Sequence, residues 1–399
     1  MDADVILDRN RPARRRSVAD VYLAGYLQGS AFVLIPALGN ILAAAPYGFS
    51  ASAYALLFLP QTLGAIAGAV AAGWVQHRLG IGRLFRLGLL ANLLAMLLLV
   101  AAARTGGSTA YALLLAESLL LGLGFGWTLA SINHYSAYFF DHSAGAAITL
   151  LNALIGAATA VSPLLLGALQ GRWDWSLWPL ALAIGFGIAW LPRLPESRDA
   201  ARAAFWPAGL LPFVLLTLIY AICEGSFGSW ASVYVSADRH LGAHVGTMAL
   251  SAFWASMTLF RGVLALVPER WISRGTLLRA SALGIVACFG GLPWLSGTPQ
   301  LVGAFAAAGA ACSIYYPFVM SLGLARFPQQ QTQVAGLIVA ALMVGEGLGS
   351  YGLGLMQHGL RLERIYLLSA LWGLPLLLGV RLMYRQTQRG RRQPARRRA

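Results

Sequence analysis

Apolar residues in this chain neither alternate nor recur every third or fourth position; they run on. Apolar windows of about 20 residues, the length a helix needs to cross a hydrocarbon core, occur at 19–45, 50–76, 84–104, 108–139, 143–169, 174–192, 206–236, 243–268, 276–296, 299–325, 332–357 and 363–384. Short polar stretches and turns separate them. The pattern predicts an all-α membrane protein of twelve transmembrane helices, the longer ones tilted or continuing outside the bilayer.

Two parts of the pattern repeat. GWVQHRLGIGRLFR, Gly73 to Arg86, follows the second window, and LVPERWISRGTLLR, Leu266 to Arg279, follows the eighth. Each sets an ionisable residue before an arginine (His77-Arg78, Glu269-Arg270) and ends its turn on another (Arg86, Arg279). They recur about 192 residues apart, the spacing of a six-helix unit used twice. The fourth and fifth windows echo the tenth and eleventh more weakly: a helix of small residues, a polar turn, then a glycine-studded helix (Gly156 to Gly167, Gly345 to Gly354). A charged stretch, Pro192 to Ala208, lies between the halves. The expected architecture is two pseudo-symmetric six-helix bundles: a basic tail 1–18, a domain 19–192, a linker 193–205, a domain 206–384 and an arginine-rich tail 385–399.

Composition excludes a soluble fold, since 58% of residues are apolar and 11% charged, with mean hydropathy +0.67, against about a quarter charged in soluble domains. In a soluble protein the net charge of +15 would suggest nucleic acid. Here there is no lysine, and the arginines sit where topology needs them. With a cytoplasmic N-terminus, Arg104, Arg172, Arg239, Arg361 and Arg364 fall outside and the other 24 of the 29 basic residues inside. The positive-inside rule then places both termini in the cytoplasm, as in a bacterial-type inner-membrane protein. Orientation accounts for the basic ends, which also suit anionic lipid. The leader MDADVILDRNRPARRR lacks the short apolar core of a cleavable signal, so the first helix itself is expected to direct insertion. Cys223, Cys288 and Cys312 fall within apolar windows, read as packing residues. Scattered histidines (His77, His134, His142) have no paired spacing, and no metal, cofactor or nucleic acid is expected. A monomer is anticipated.

Of fourteen acidic residues only Glu117, Glu224 and Glu346 fall well inside windows, where a charge facing lipid would cost about 2.5–3.5 kcal/mol. Each must face protein, water or substrate. On the seventh helix, in YAICEGSFGSW, Tyr220, Phe227 and Tyr234 lie within about 80° of Glu224 at about 100° per residue. Such a stripe suits a cavity in which aromatic faces grip an organic solute while the carboxylate pairs a cation or takes up a proton. The plainer alternative is a protonated glutamate bonded to a neighbouring backbone carbonyl. Glu346, flanked by glycines in VGEGLGS, reads equally as functional or structural, and Glu117, nearer the outer end of its helix, as a weaker coupling candidate than as a snorkelling or packing residue. Trp127 could stack on a ring or plug the bundle, and Trp230, off the stripe, reads as packing or interfacial. Tyr315-Tyr316-Pro317 is expected to break the tenth helix, with Tyr316 a candidate contact; Gln28 and Ser30 are weaker candidates on the first.

The six-plus-six plan, with Gly73, Arg78 and Gly80 as a GxxxxRxG-type loop, resembles the major facilitator superfamily. Within it, Tyr220 to Leu278 and Gly122 to Pro163 are similar to the seventh–eighth and fourth–fifth helices of fucose-permease-like members. That resemblance implies alternating access about a midplane site, with Gly73, His77, Arg78, Gly80, Glu269 and Arg270 in gating loops, and it tilts Asn133 and Asn152 toward the cavity rather than helix–helix bonding. Family members usually carry aspartate where His77 stands, which implies a weaker cytoplasmic latch. The acids through which fucose permeases couple to protons are replaced by Phe32 and Trp127. The helix-four arginine and full helix-five motif of proton-driven drug antiporters are also missing.

No phosphate-binding GxxxxGK[ST] loop is present, so a gradient is the expected energy source. The expectation is a secondary transporter, a permease for a small organic solute coupled to H+, with sugar-type import less favoured than efflux of a drug, metabolite or amphiphile. A membrane-embedded transferase would need a convergent His/Asp or metal constellation, and a receptor a larger soluble region; neither is visible.

Overall fold

The computed structural model describes residues 11–140, 144–169, 177–189, 194, 209–265, 272–327 and 331–379, and among these every regular element is helical. In chain order they are α1 (Arg11–Phe32), α2 (Leu34–Ala43), α3 (Ala51–Leu79), α4 (Ile81–Ala103), α5 (Gly107–Phe139), α6 (Ala144–Ala168), α7 (Leu177–Ala189), α8 (Leu211–Val233), α9 (Ala243–Ala265), α10 (Arg274–Gly291), α11 (Thr298–Cys312), α12 (Tyr315–Arg326), α13 (Gln331–Met356) and α14 (Leu362–Ser369). A π-helical turn, Tyr234–Asp238, extends α8.

Eleven segments among the described residues are long and apolar enough to cross a membrane, and each matches an expected window to within a few residues at most ends. The sixth window holds α7, a shorter apolar helix whose flanks lie outside the described residues. Two windows are split rather than continuous. The first breaks between α1 and α2 at Val33, where Pro36 has no N–H for the Phe32 carbonyl. The tenth breaks between α11 and α12 at Ser313 and Ile314, four residues before Pro317.

The chain groups into two compact units, one of Met1–Leu34, Leu63–Ser162 and Gly171–Arg202, the other of Ile35–Thr62, Pro163–Gln170 and Ala203–Ala399. In the first, α4 and α5 form the main seam. Gly88 and Gly124 keep it close: a Cβ on Gly88 would come 2.8 Å from the Thr128 backbone nitrogen, and one on Gly124 would collide with the Asn92 carboxamide.

In the second unit α8 is the central helix, buried at every position from Tyr220 to Ser232. Against one side lies α13, at backbone contact: a Cβ on Gly225 would meet the Glu346 carbonyl oxygen at 2.5 Å, and one on Gly345 or Gly349 would run into the carbonyls of Leu218 and Ile222. Residues 35–62 belong to this unit through Asn40, which donates to Ser232 Oγ at 2.9 Å and accepts from Ser236, and through Tyr54, whose hydroxyl donates to the Ser229 carbonyl at 3.1 Å. At the far end of α8, Arg239 pairs with Glu363 at 2.9 Å and donates to Tyr234 Oη at 3.0 Å.

Candidate functional site

Glu224 sits on α8 with its side chain 5% exposed, and its partner is Arg261 of α9, whose Nη2 lies 3.4 Å from Oε1. The other carboxylate oxygen is buried without a hydrogen-bond partner. By elimination Arg261 belongs to the arginines assigned above to the cytoplasmic side. That assignment is corrected: it lies within the apolar span Ala243–Leu264, with its side chain 38% exposed.

The α11–α12 break builds the rest of the site. Pro317 has no N–H to give the Ser313 carbonyl, and its ring excludes the continuous helix. Three successive carbonyls around the break are met by side chains instead: Ala311 accepts from Ser281 Oγ at 2.6 Å, Cys312 from the Tyr220 hydroxyl at 2.7 Å and Ser313 from Arg261 Nε at 3.2 Å. Tyr220 stacks on Tyr315, centroids 5.5 Å apart at 8°, and its hydroxyl lies near both Glu224 and Arg261. Tyr316, half-buried at the start of α12, is an electrostatic neighbour of Arg261. Glu346 of α13, half-buried, is close enough to act electrostatically on the Glu224–Arg261 pair. A guanidinium, two carboxyls and two phenols thus converge from α8, α9, α12 and α13, and with at most one positive charge against two carboxyls the cluster holds a proton whenever it is neutral.

Other candidates lie elsewhere. Phe227 is corrected: it is fully buried, stacked on Phe289 at 3.9 Å between centroids and ringed by Phe253, Phe305 and Tyr366. Tyr234 is equally buried, its hydroxyl donating to the Leu292 carbonyl at 3.2 Å. The wheel argument placed both on the Glu224 stripe, but a helix covered all round has no single lining face. Trp230 packs, its Nε1 donating to the Ser350 carbonyl at 2.8 Å.

In the first unit, Gln28 and Ser30 are fully buried. Gln28 Oε1 accepts from Asn92 Nδ2 at 2.7 Å, and the same Nδ2 donates to Thr128 Oγ1 at 3.1 Å; sequence reasoning missed Asn92, although a carboxamide inside an apolar window is itself a signal. Glu117 is fully buried, accepting from Ser118 Oγ at 3.2 Å while Oε1 has no partner, so the snorkelling reading is corrected. Trp127 and Asn133 are half-buried, each with an unpartnered polar atom. Phe32 packs against Phe125 at 4.9 Å. Asn152 is exposed, bonded to the Ile148 carbonyl of its own helix at 2.9 Å.

Of the loop residues, Gly73 is half-buried near the end of α3, and His77 and Arg78 are exposed at its last turn, Arg78 over the Trp74 ring at 4.7 Å. Gly80 starts α4 at φ +92°, a conformation that favours glycine. Glu269, Arg270 and His142 lie outside the described residues. Cys223 and Cys312 are buried and Cys288 half-buried, all as free thiols.

The model of the Major Facilitator Superfamily matches residues 23–398. The chain belongs to that superfamily. It is a major facilitator transporter and an integral multi-pass membrane protein. The crystal structure of the D-xylose-proton symporter superposes with a TM-score of 0.70 at 16% identity, over 92% of this chain and 96% of that one. That of the nucleoside transporter NupG gives 0.70 at 14%, over 92% and 99%, and a mutant of it 0.72 at 14%, over 92% and 100%. At such identities the likeness is one of fold. No curated protein matches the chain in sequence.

Proposed function

We propose that this major facilitator protein moves a small organic solute across a bacterial-type inner membrane by alternating access of two six-helix domains, 19–192 and 206–384, in step with proton movement at Glu224. The observation that supports this is the pairing of Glu224 with Arg261: one long contact at 3.4 Å, one carboxylate oxygen unpartnered and the Arg261 side chain 38% exposed. A buried carboxyl tied by a single contact can exchange that contact for a proton, whereas a purely structural ion pair is held by full hydrogen bonding on both partners. The fold shared with the D-xylose-proton symporter agrees with proton coupling. Release of the proton restores the Glu224–Arg261 contact, so occupancy of the site and protonation change together.

Efflux of a drug, metabolite or amphiphile is favoured over sugar-type import, because the positions matched to the coupling acids of fucose permeases carry Phe32, packed on Phe125, and Trp127. The protein in this reading works as a monomer in contact with lipid, without a cofactor. The test is proton flux in proteoliposomes with a panel of sugars, amphiphilic cations and organic acids, wild type beside Glu224→Gln. Substrate-dependent proton movement lost in the variant supports the reading; unchanged proton stoichiometry in Glu224→Gln removes Glu224 from coupling and leaves Glu346 as the carboxyl to test.

A further inference from the structure

Arg261 has five N–H donors, and the contacts at its side chain leave it 38% exposed beside a carboxylate that is 5% exposed. The Arg261 side chain is therefore the less covered member of the pair and Glu224 the more covered one. Nε is fixed on Ser313 at the helix break, which holds the planar fork in one orientation. The same face of α9 carries Thr258 and Trp254, three and seven residues back. Trp254 lies against α8 at Gly228, where a Cβ would come within 3.0 Å of the indole ring, one turn beyond Glu224. Its Nε1–H is buried with no acceptor, and indole N–H can only donate. Thr258 Oγ1 donates to the Trp254 carbonyl at 2.9 Å, which leaves the stripe between the two donors apolar apart from a hydroxyl oxygen.

We propose that Arg261 and Trp254, set about 10 Å apart along the α9 axis at 1.5 Å per residue, form a binding site for an elongated organic acid, its carboxylate on the Arg261 fork and a second hydrogen-bond acceptor at Trp254 Nε1. Two donor-only groups at the ends of an apolar stripe call for an acceptor at each end, and the charged end calls for an anion. Glu224 is then the internal competitor: the incoming carboxylate takes its place on Arg261, and the displaced Glu224, buried with Tyr220, Tyr316, Cys223, Cys312 and Glu346 as its other titratable neighbours, accepts a proton. One anion and one proton enter together, so net charge at the site is unchanged. This rests on the proton-coupled reading of Glu224 given above and names the substrate class for it.

The probe is monomethyl azelate, one carboxylate and one ester carbonyl at about that separation, against the uncharged dimethyl ester, read as binding to the purified full-length protein and as proton flux in proteoliposomes. The acid binds and the diester does not. Arg261→Lys, which keeps the charge and loses the fork, weakens binding by about tenfold or more, the worth of a charge-assisted hydrogen bond, and Trp254→Phe weakens it by a smaller factor. Glu224→Gln removes the competitor, so it binds the acid more tightly than wild type and loses the wild type's preference for low pH. Should Arg261→Gln fail to fold because Glu224 is left unpaired, the double variant Arg261→Gln/Glu224→Gln, which removes both members of the pair and strands neither, gives the arginine-free measurement. Equal binding of acid and diester, binding of the acid by that double variant, or binding of phenyltrimethylammonium in place of the acid with loss in Glu346→Gln each overturns the proposal. If proton flux with other solutes depends on Glu224 while the acid does not bind, the organic-acid site falls and coupling stands; if the acid binds through Arg261 but no solute moves protons, coupling falls and the site stands.

Discussion

Arg261 Nε donates to the carbonyl of Ser313 at 3.2 Å, the acceptor that a regular helix would have given to residue 317. The break in the tenth span is thus not only a bend; it frees the backbone group that orients Arg261 beside Glu224. Pro317→Ala restores an N–H for Ser313 and removes the ring that excludes a continuous helix. The variant is expected to fold with stability equal to or above wild type and to lose solute-driven proton flux. Thermal unfolding and flux on the same preparation check it, and retained flux with a continuous helix would detach the break from function.

Close approach of α8 and α13 sets a second expectation. Gly225→Ala and Gly349→Ala push a methyl into the facing backbone, and overpacking of this kind costs about 1–3 kcal/mol. Gly352→Ala, with nothing within 4 Å of the new Cβ, is expected to be neutral. Unfolding midpoints of the three variants in one detergent compare them directly.

Phe227 and Asn152 should separate cleanly. Removing the Phe227 ring from its stack with Phe289 is expected to destabilise by about 3–5 kcal/mol, whereas Asn152→Ala at an exposed position stays within about 0.5 kcal/mol. Denaturation of each variant is the measurement; a mild Phe227→Ala would return that ring to the list of solute contacts.

The Gln28–Asn92–Thr128 network predicts strong coupling. Asn92→Leu strands the buried Gln28 carboxamide, a cost of about 1–3 kcal/mol, while Gln28→Leu/Asn92→Leu removes both partners and is expected to cost less than the two single changes added together. A double-mutant cycle on unfolding free energies reads the difference.

These sites show what the sequence alone could carry. Long apolar windows located nearly every helix, because in a bilayer length and hydropathy decide the element with little help from tertiary contacts, and Pro317 announced its break because a missing N–H acts locally. Glu224 stood out through the cost of a carboxylate among apolar neighbours. Arg261 was open to the same reasoning, lying within the window 243–268, yet was absorbed into the count of cytoplasmic arginines; charge bias sorts loops and is blind to a cation held inside a bundle. What a helical wheel could not supply was the open face of α8, since Tyr220 through Ser232 are all covered and the difference between Glu224 and Phe227 is made by which other helices lie beside them.

The glycine seam between α8 and α13 also limits how this transporter can change. Residues 225, 345 and 349 have no room for even a methyl group, so neither helix can alter its outline there without separating the pair that holds Glu224 near Glu346. In the site proposed above, variation that retunes the cargo enters through Trp254, Thr258 and Tyr316, which are half-buried. In that proposal the seam is a fixed jaw, and selectivity evolves on residues outside it.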